Sequence, residues 1–371
     1  MHSPLASPRA TREVLDRFGL SAKHRLGQNF LVDDNVIGRI LDLSGLAAGG
    51  VHGIEAGGMG AGSAAGETAG SAADGASSAV SFRGRLPSAA ADGSAADGTS
   101  SAAPGDAGGT AAFTSPAPAS NPASEAVEPG SLPCVLEVGP GIGTLTCALL
   151  RRAYVVAVEC DADLPPVLAE TCALDGERLR IVQADALKLD RRQIEQACAE
   201  MGAPLPSRLV ANLPYQVAAT LVLDWFERFD FIESMTVMVQ AEVADRMAAA
   251  PGTKDYGAYT VKLALRAHVA GRFSVPPTCF TPKPHVDSAV VRLERNCAAE
   301  EAVVLLDAAC KLADAAFAQR RKTIRNSMKS RLDAATADAA LAACGIDPTT
   351  RAETLSPGAY LRMASALLSR V

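Results

Sequence analysis

The sequence predicts an α/β protein: a Rossmann-like, mainly parallel sheet with covering helices, followed by a small C-terminal α-helical domain. Two observations carry the sheet. Strand-like apolar runs (PCVLEVG, YVVAVE, RIVQAD, RLVANL and MTVMVQ) alternate with helix-like segments from residue 133 onward, the pattern of parallel strands joined by crossover helices. The first run passes straight into a glycine-rich turn and a new helix, the place where open α/β sheets bind nucleosides. A third observation sets the domain count. Beyond about residue 300 the chain turns Ala/Leu-rich and helical, with Gly345 and Pro348 marking a turn.

In chain order, residues 1–22 read as a short polar arm with a helical tendency. In KHRLGQNFLVDDNVIGRILDLSGL, Asp33 or Asp34 can cap a helix whose Val36, Ile37, Ile40, Leu41 and Ser44 fall on one face. Arm and helix make up a segment 1–48. Residues 49–130 are rich in Gly, Ala, Ser and Asp with scattered prolines. They hold too few bulky apolar side chains to offset chain ordering, so disorder is expected. Lengthening a loop to this extent is about four doublings, or about 2.4 kcal/mol of closure entropy, which a fold can absorb. Residues 131–295 hold the strand–helix alternation and one further strand, DSAVVRLE, and residues 296–371 the helical domain.

The 371-residue chain is 48% hydrophobic, enough for a substantial core. Its formal net charge of -6 at first argues against a nucleic-acid partner. The insert changes that reading: it sets eight acidic residues against two arginines, Arg83 and Arg85, so it carries the whole of the -6 and the remainder is neutral. Nine cysteines are scattered without a C-x-x-C pair. This reads as reduced thiols in a cytosolic protein, with neither a disulfide framework nor a metal site. The first twenty residues lack the apolar stretch of a secretory signal, and no run reaches the roughly 18 apolar residues that would span a membrane.

Gly139, Gly141 and Gly143 in VLEVGPGIGTL form G-x-G-x-G, which lets a ligand approach the backbone closely. A glycine cluster alone suits a ligand-free turn equally well. Glu159, Asp185 and Asn212 break the tie, because each ends a successive strand and strand C-termini face the crevice of such sheets. Glu159, twenty positions beyond Gly139, can accept from both hydroxyls of a ribose. Asp185 can accept from an adenine amino group. There is no G-x-x-x-x-G-K-[ST], and no Arg or Lys in the glycine turn to neutralise a pyrophosphate. S-adenosyl-L-methionine, an adenosine bearing a carboxylate and a sulfonium cation, suits this acidic, glycine-lined crevice. No metal is implied.

Asn212-Leu213-Pro214-Tyr215 is the most specific motif. The exocyclic amine of adenine is a weak nucleophile because its lone pair is delocalised into the ring. The Asn212 side-chain oxygen and a backbone carbonyl, for which Leu213 is the candidate, can accept its two N–H bonds and aim its lone pair at a methyl group. Pro214 stiffens the loop and Tyr215 can stack on the base. Such positioning can remove about 7–11 kcal/mol of barrier. Arg320, Arg321, Lys322, Arg325, Lys329 and Arg331 form a basic run on a helix-like segment, and Lys23, His24 and Arg25 a second patch. A charge run is ordinarily a solvated face. Two patches against a neutral background favour RNA phosphates. Glu242 and Arg246, spaced i, i+4, read as a helix ion pair, and Tyr256-Gly257 as a turn before a helix.

These segments resemble, in order, the KsgA/RsmA family of ribosomal RNA adenine dimethyltransferases. KHRLGQNFL, LEVGPGIGTLT, VECDADL, QADAL and VANLPY carry the likeness, and MVQAEVADRM, PGTKDYG, FTPKPHVDSAVVRL and FAQRRKTIRNSM continue it. The resemblance spans about residues 20–48 and 131–330, and the insert 49–130 is the main departure from it. It implies S-adenosyl-L-methionine contacts at Asn29, Leu31, Gly139, Glu159, Asp185 and Asn212, with Phe280 facing Tyr215 across the target adenine. It also implies N6,N6-dimethylation of two adjacent adenines near the 3′ end of small-subunit ribosomal RNA. The expected partner is a precursor 30S particle, engaged in the cytoplasm by a monomer, with no membrane or DNA partner. Three rivals stay open. A macrolide-resistance methylase of large-subunit RNA would share the cofactor site, but NLPY, FAQRRKTIRN and the full GQNFL arm favour the small-subunit enzyme. A non-catalytic assembly factor would keep the fold, yet every proposed position here holds a workable residue. A DNA adenine methyltransferase has a second proline where this chain has Leu213, and would carry a recognition domain that is not evident.

Overall fold

A computed structural model describes residues 1–23, 28–46, 132–296 and 302–369. The insert 49–130, expected to be disordered, lies outside these residues, as do His24 and Arg25 of the second basic patch. No helix among the described residues is long and apolar enough to cross a membrane.

The N-terminal segment holds α1 (Pro8–Arg17), β1 (Phe30–Leu31) and α2 (Asp34–Leu43). Asp33 is the N-cap of α2, accepting from the amides of Asn35 and Val36, and Val36, Ile37, Ile40 and Leu41 are buried along the expected face. The first residues are less polar in their surroundings than the sequence suggested. Ser3, Leu5 and Ala6 are buried, and the amides of His2 and Ser3 donate to the Asp34 carboxylate at 2.8 and 2.9 Å. An anion at a helix N-terminus is itself favourable, so Asp34 serves both α2 and the docked chain start.

The catalytic portion runs β2 (Cys134–Val138), α3 (Thr144–Leu150), β3 (Tyr154–Glu159), α4 (Pro165–Thr171), β4 (Leu179–Gln183), α5 (Arg191–Met201), β5 (Arg208–Asn212), α6 (Ala218–Arg228), β6 (Ser234–Gln240), α7 (Ala241–Met247), α8 (Ala258–Arg266), β7 (Ala267–Val275), β8 (Phe280–Thr281) and β9 (Ser288–Arg295). Seven strands form one sheet in the order β4-β3-β2-β5-β6-β9-β7, and β1 pairs with β8 in a separate ribbon. The five runs read from the sequence are the parallel strands, while β9 and β7 run antiparallel to their neighbours. The sheet is therefore mixed, and β7 is the strand the sequence hid. It is an edge strand with an irregularity between Val269 and Gly271. His268, Ala270, Arg272 and Ser274 are exposed in alternation with more buried neighbours, but the small pair Ala270-Gly271 in its middle blurs that period in the sequence.

Both faces of the parallel part are covered. Val135 and Val155 belong to one apolar cluster with Ile37, Ile40 and Leu149. Their neighbours Leu136 and Val156 belong to another, with Leu209, Trp225 and Met235. This two-residue alternation between buried faces is why the strands read as continuous apolar runs. Trp225 of α6 is fully buried, and its indole N–H donates to the Ala186 carbonyl at 3.0 Å, tying α6 to the turn after β4. Arg295, at the end of β9, donates to the carbonyls of Ile232, Phe226 and Phe229 and satisfies the loop beneath α6.

The helical portion comprises α9 (Ala302–Ala316), α10 (Ile324–Met328), α11 (Ala334–Ala343) and α12 (Pro357–Leu368). Its core of Leu312, Ile324, Met328, Leu341, Tyr360 and Met363 also includes Tyr256, Val261 and Leu265. The Tyr256 hydroxyl donates to the Leu355 carbonyl at 2.7 Å, and Gly257 is the N-cap of α8. The expected turn is thus also a link between the two portions. Arg320, Arg321 and Lys322 lie in the turn between α9 and α10, not on a helix.

Candidate active site

The successive ends of β2, β3, β4 and β5 open into one cavity of about 260 Å³. Of the residues expected at the cofactor and catalytic positions, Asn29, Leu31, Gly139, Glu159, Asp185, Asn212, Leu213, Pro214 and Tyr215 all line it. They come from five separate elements, and the topology alone brings them together.

The glycine turn is shaped by backbone geometry. Gly139, Gly141 and Gly143 have φ of 67°, 61° and 91°, a region that side-chain-bearing residues avoid. A Cβ at Gly141 would stand 3.2 Å from the Phe30 ring, so the arm packs directly over the turn. Glu159 is buried at the end of β3. Burial raises its carboxyl above the usual range, while amide N–H groups of Asp161, Gly141 and Cys160 pull it back down. Asp185 is exposed and also caps a short turn, accepting from the Leu187 amide at 3.0 Å.

Asn212 ends β5 with its Nδ2 donating to the Asn29 carbonyl at 3.2 Å, a contact between residues 183 positions apart. The Leu213 amide donates to the Met238 carbonyl of β6 at 3.1 Å. The Tyr215 hydroxyl shares a hydrogen bond with Ser288 Oγ at 2.6 Å. The loop is thereby tied at both ends to the sheet.

Two groups in the cavity wall were not singled out by sequence. Glu137, the next-to-last residue of β2, is fully buried, and burial raises its carboxyl to about 8. Its Oε2 and the Thr144 hydroxyl are buried polar atoms without a hydrogen-bond partner, and both residues line the cavity. Buried polar atoms are seldom left unpaired. Their presence beside the glycine turn fits a polar, cationic ligand group. A carboxylate inside an apolar run, two residues before the first glycine, was the available signal.

Three expected positions differ from the sequence reading. Phe280 is 1% exposed, sits in the core with Phe30 and Leu31 and pairs with Leu31 in the β1–β8 ribbon. It does not line the cavity, because its side chain is drawn into the apolar layer beneath the arm. Lys23 is held between carboxylates, with Nζ 2.6 Å from Asp161 Oδ1 and 2.6 Å from Asp163 Oδ2. Arg325 makes a paired contact with Asp338 at 2.6 and 2.7 Å. The Glu242–Arg246 ion pair stands as read, at 2.8 Å.

A parallel-rich α/β sheet with this cavity at its strand ends and an Asn-Leu-Pro-Tyr loop in its wall defines a Rossmann-like methyltransferase. A family model described as ribosomal RNA adenine dimethylase matches residues 124–368, and the chain belongs to that family. It is 32% identical to a ribosomal RNA small subunit methyltransferase A from Geobacillus thermodenitrificans, over 99% of this chain and 98% of the relative. It is 43% identical to one from Thermobifida fusca, over 62% of this chain and 79% of the relative. Among solved structures, a dimethyladenosine transferase from Plasmodium falciparum aligns with TM-score 0.50 and 22% identity, over 63% of this chain and 90% of that one. That likeness bears on the fold alone.

Proposed function

We infer that the chain transfers methyl groups from S-adenosyl-L-methionine to N6 of two adjacent adenines near the 3′ end of small-subunit ribosomal RNA. Family membership and the relatives' names support the RNA substrate. The observation that carries the chemistry is the 3.2 Å bond from Asn212 Nδ2 to the Asn29 carbonyl. It commits the NH₂ end of the amide to the arm and leaves Oδ1 as the acceptor for an incoming amine.

The donor supplies an electrophilic methyl group on a sulfonium. Glu159 accepts hydrogen bonds from its ribose hydroxyls and Asp185 from its adenine amine. Glu137 and Thr144 offer their unpaired oxygens to its cationic end. On the acceptor side, Asn212 Oδ1 and the Leu213 carbonyl take the two N6 protons and turn the nitrogen lone pair toward the donor. Tyr215 covers the face of the base. A nitrogen–carbon bond forms as the carbon–sulfur bond breaks, and the positive charge passes to nitrogen and leaves as a proton to water. No general base is needed first, so catalysis is mostly positioning. Base–aromatic stacking of about 1–3 kcal/mol offsets much of the cost of extruding the adenine. Arg320, Arg321 and Lys322, in their exposed turn, grip RNA phosphates. The particle engaged is a precursor 30S subunit, bound by a monomer in the cytoplasm.

The test is labelled-methyl incorporation into unmethylated 30S particles by wild type and Asn212→Ala, with mass spectrometry of the RNA 3′ fragment. Wild type should place four methyl groups on two adenines. Losing an oriented polar contact to the reacting group should cost the variant about 10²–10³ in rate. Equal, negligible labelling by both proteins would overturn the reading in favour of a binding factor.

A further inference from the structure

Lys23 belongs to a basic patch in the sequence, yet its surroundings give it a different task. Its Nζ donates to Asp161 Oδ1 and to Asp163 Oδ2, each at 2.6 Å. Its backbone amide donates to Gln28 Oε1 at 2.9 Å, and Gln28 Nε2 in turn donates to Asp161 Oδ2 at 3.0 Å. We propose that this Lys23–Gln28–Asp161 cluster fastens the N-terminal arm across the donor cavity and so sets the affinity for S-adenosyl-L-methionine. The proposal rests on the reading of that cavity as the donor site.

Three features separate this cluster from an ordinary surface ion pair. First, the carboxylate is buried: the Asp161 side chain is 6% exposed. A buried carboxylate that loses its partner is costly, whereas exposed pairs contribute little. Second, each half of the cluster adjoins a wall of the cavity. On the arm side, Gln28, Asn29, Phe30 and Leu31 all line it. On the body side, the Asp161 amide donates to Glu159 Oε1 at 2.8 Å, so the ion pair grips the same turn that holds the ribose-binding carboxylate. Third, of the ties made by Lys23 and by Gln28–Leu31, the cluster lies at the end opposite the others. The β1–β8 ribbon and the Asn212–Asn29 bond hold the arm toward the catalytic loop, while the Lys23 cluster holds it toward β3. Phe30, between them, lies over Gly141.

Lys23 is accordingly a positioning residue that acts through Asn29–Leu31 and Glu159. Removing its charge lowers the fraction of molecules with the arm docked, and apparent donor affinity falls by that fraction. The catalytic end keeps its own attachments, so turnover at saturating donor is retained.

The experiment uses the full-length protein. Calorimetry with S-adenosyl-L-methionine compares wild type, Lys23→Met, Lys23→Arg, Asp161→Asn and the double variant Lys23→Met/Asp161→Asn. Steady-state rates and binding of unmethylated 30S particles are measured alongside. Lys23→Met should bind the donor roughly ten- to a hundredfold more weakly, as loss of a charged hydrogen bond implies. KM for the donor should rise in parallel with kcat retained, Lys23→Arg should recover most of the loss, and the double variant should be less impaired than the two changes summed. Asp163→Asn removes only the exposed partner and should shift affinity in the same direction by less, which keeps the proposal refutable if Lys23→Met fails to fold. Unchanged donor affinity in Lys23→Met, with weakened 30S binding, would overturn it in favour of a phosphate contact. A wild type that binds no donor would instead overturn the donor-site reading, and the fastener with it.

Discussion

Burial raises each carboxylate around the donor cavity, and what each one touches decides whether that rise survives. Glu137 has one unpaired oxygen in an apolar strand and is pushed up to about 8. Glu159 is buried too, but its amide donors oppose the rise. Asp161, bonded to Lys23 and Gln28, is lowered despite desolvation. The consequence for Glu137 has a definite sign. Between its ordinary value of 4.5 and about 8 the folded protein holds a proton that the unfolded chain has lost, so stability falls as pH rises across that window. Glu137→Gln should flatten the fall, which thermal melts at pH 5 and pH 8 can check. A cationic donor favours the ionised form, so its binding below about pH 8 should release a proton. Calorimetry in buffers of differing ionisation enthalpy reads that release directly, and Glu137→Gln should abolish it. Glu159, Asp185 and Asn212 were legible from sequence because strand ends announce themselves. Glu137 was not, because an acid inside an apolar run gives no hint of which way its second oxygen faces. Lys23 was misleading for a related reason: its partners lie 138 and 140 positions away.

At the level of the element, the glycine turn offers a controlled comparison. Gly141 and Gly202 have nearly the same φ, 61° and 62°. A Cβ at Gly202 would meet nothing within 4 Å, whereas one at Gly141 would press on Phe30 at 3.2 Å. Gly202→Ala should therefore cost only the backbone strain, about 1–2 kcal/mol, and leave donor binding intact. Gly141→Ala should cost the same strain and also displace the arm, lowering donor affinity in the calorimeter. Equal donor affinity in the two variants would refute the packing argument. The parallel strands and α2 were readable because hydrophobic period and capping agreed there. The β1–β8 ribbon was not: two-residue strands carry no period, and the family resemblance implies Phe280 across a base, whereas its side chain is packed under the arm. The basic turn at Arg320–Lys322 failed as a helix because the Ala-rich run preceding it lends its periodicity to whatever follows.

For the whole molecule, the division into catalytic and helical portions drawn from composition overlooks α8. Tyr256, Val261 and Leu265 precede the proposed boundary yet sit in the core of the helical portion. A chain ending at residue 296 would expose these side chains, each worth about 1.5–3 kcal/mol when fully buried if aliphatic. Truncation there should lower the melting temperature of the catalytic portion and raise dye binding to exposed apolar surface. The intact chain should show coincident unfolding by near- and far-ultraviolet circular dichroism. An unchanged melting temperature in the truncated chain would mean that the two portions fold independently.

The β1–β8 ribbon also has a bearing on the order of synthesis. Leu31 finds its partner Phe280 only after nearly 250 further residues have been made, the whole insert among them. At roughly 5–20 residues per second, a nascent chain waits well over ten seconds with its N-terminal arm unpaired. Donor capture in full is thus deferred until Phe280 has been made, so an enzyme that acts on ribosomal RNA acquires its full grip on the methyl source late in the synthesis of its catalytic portion.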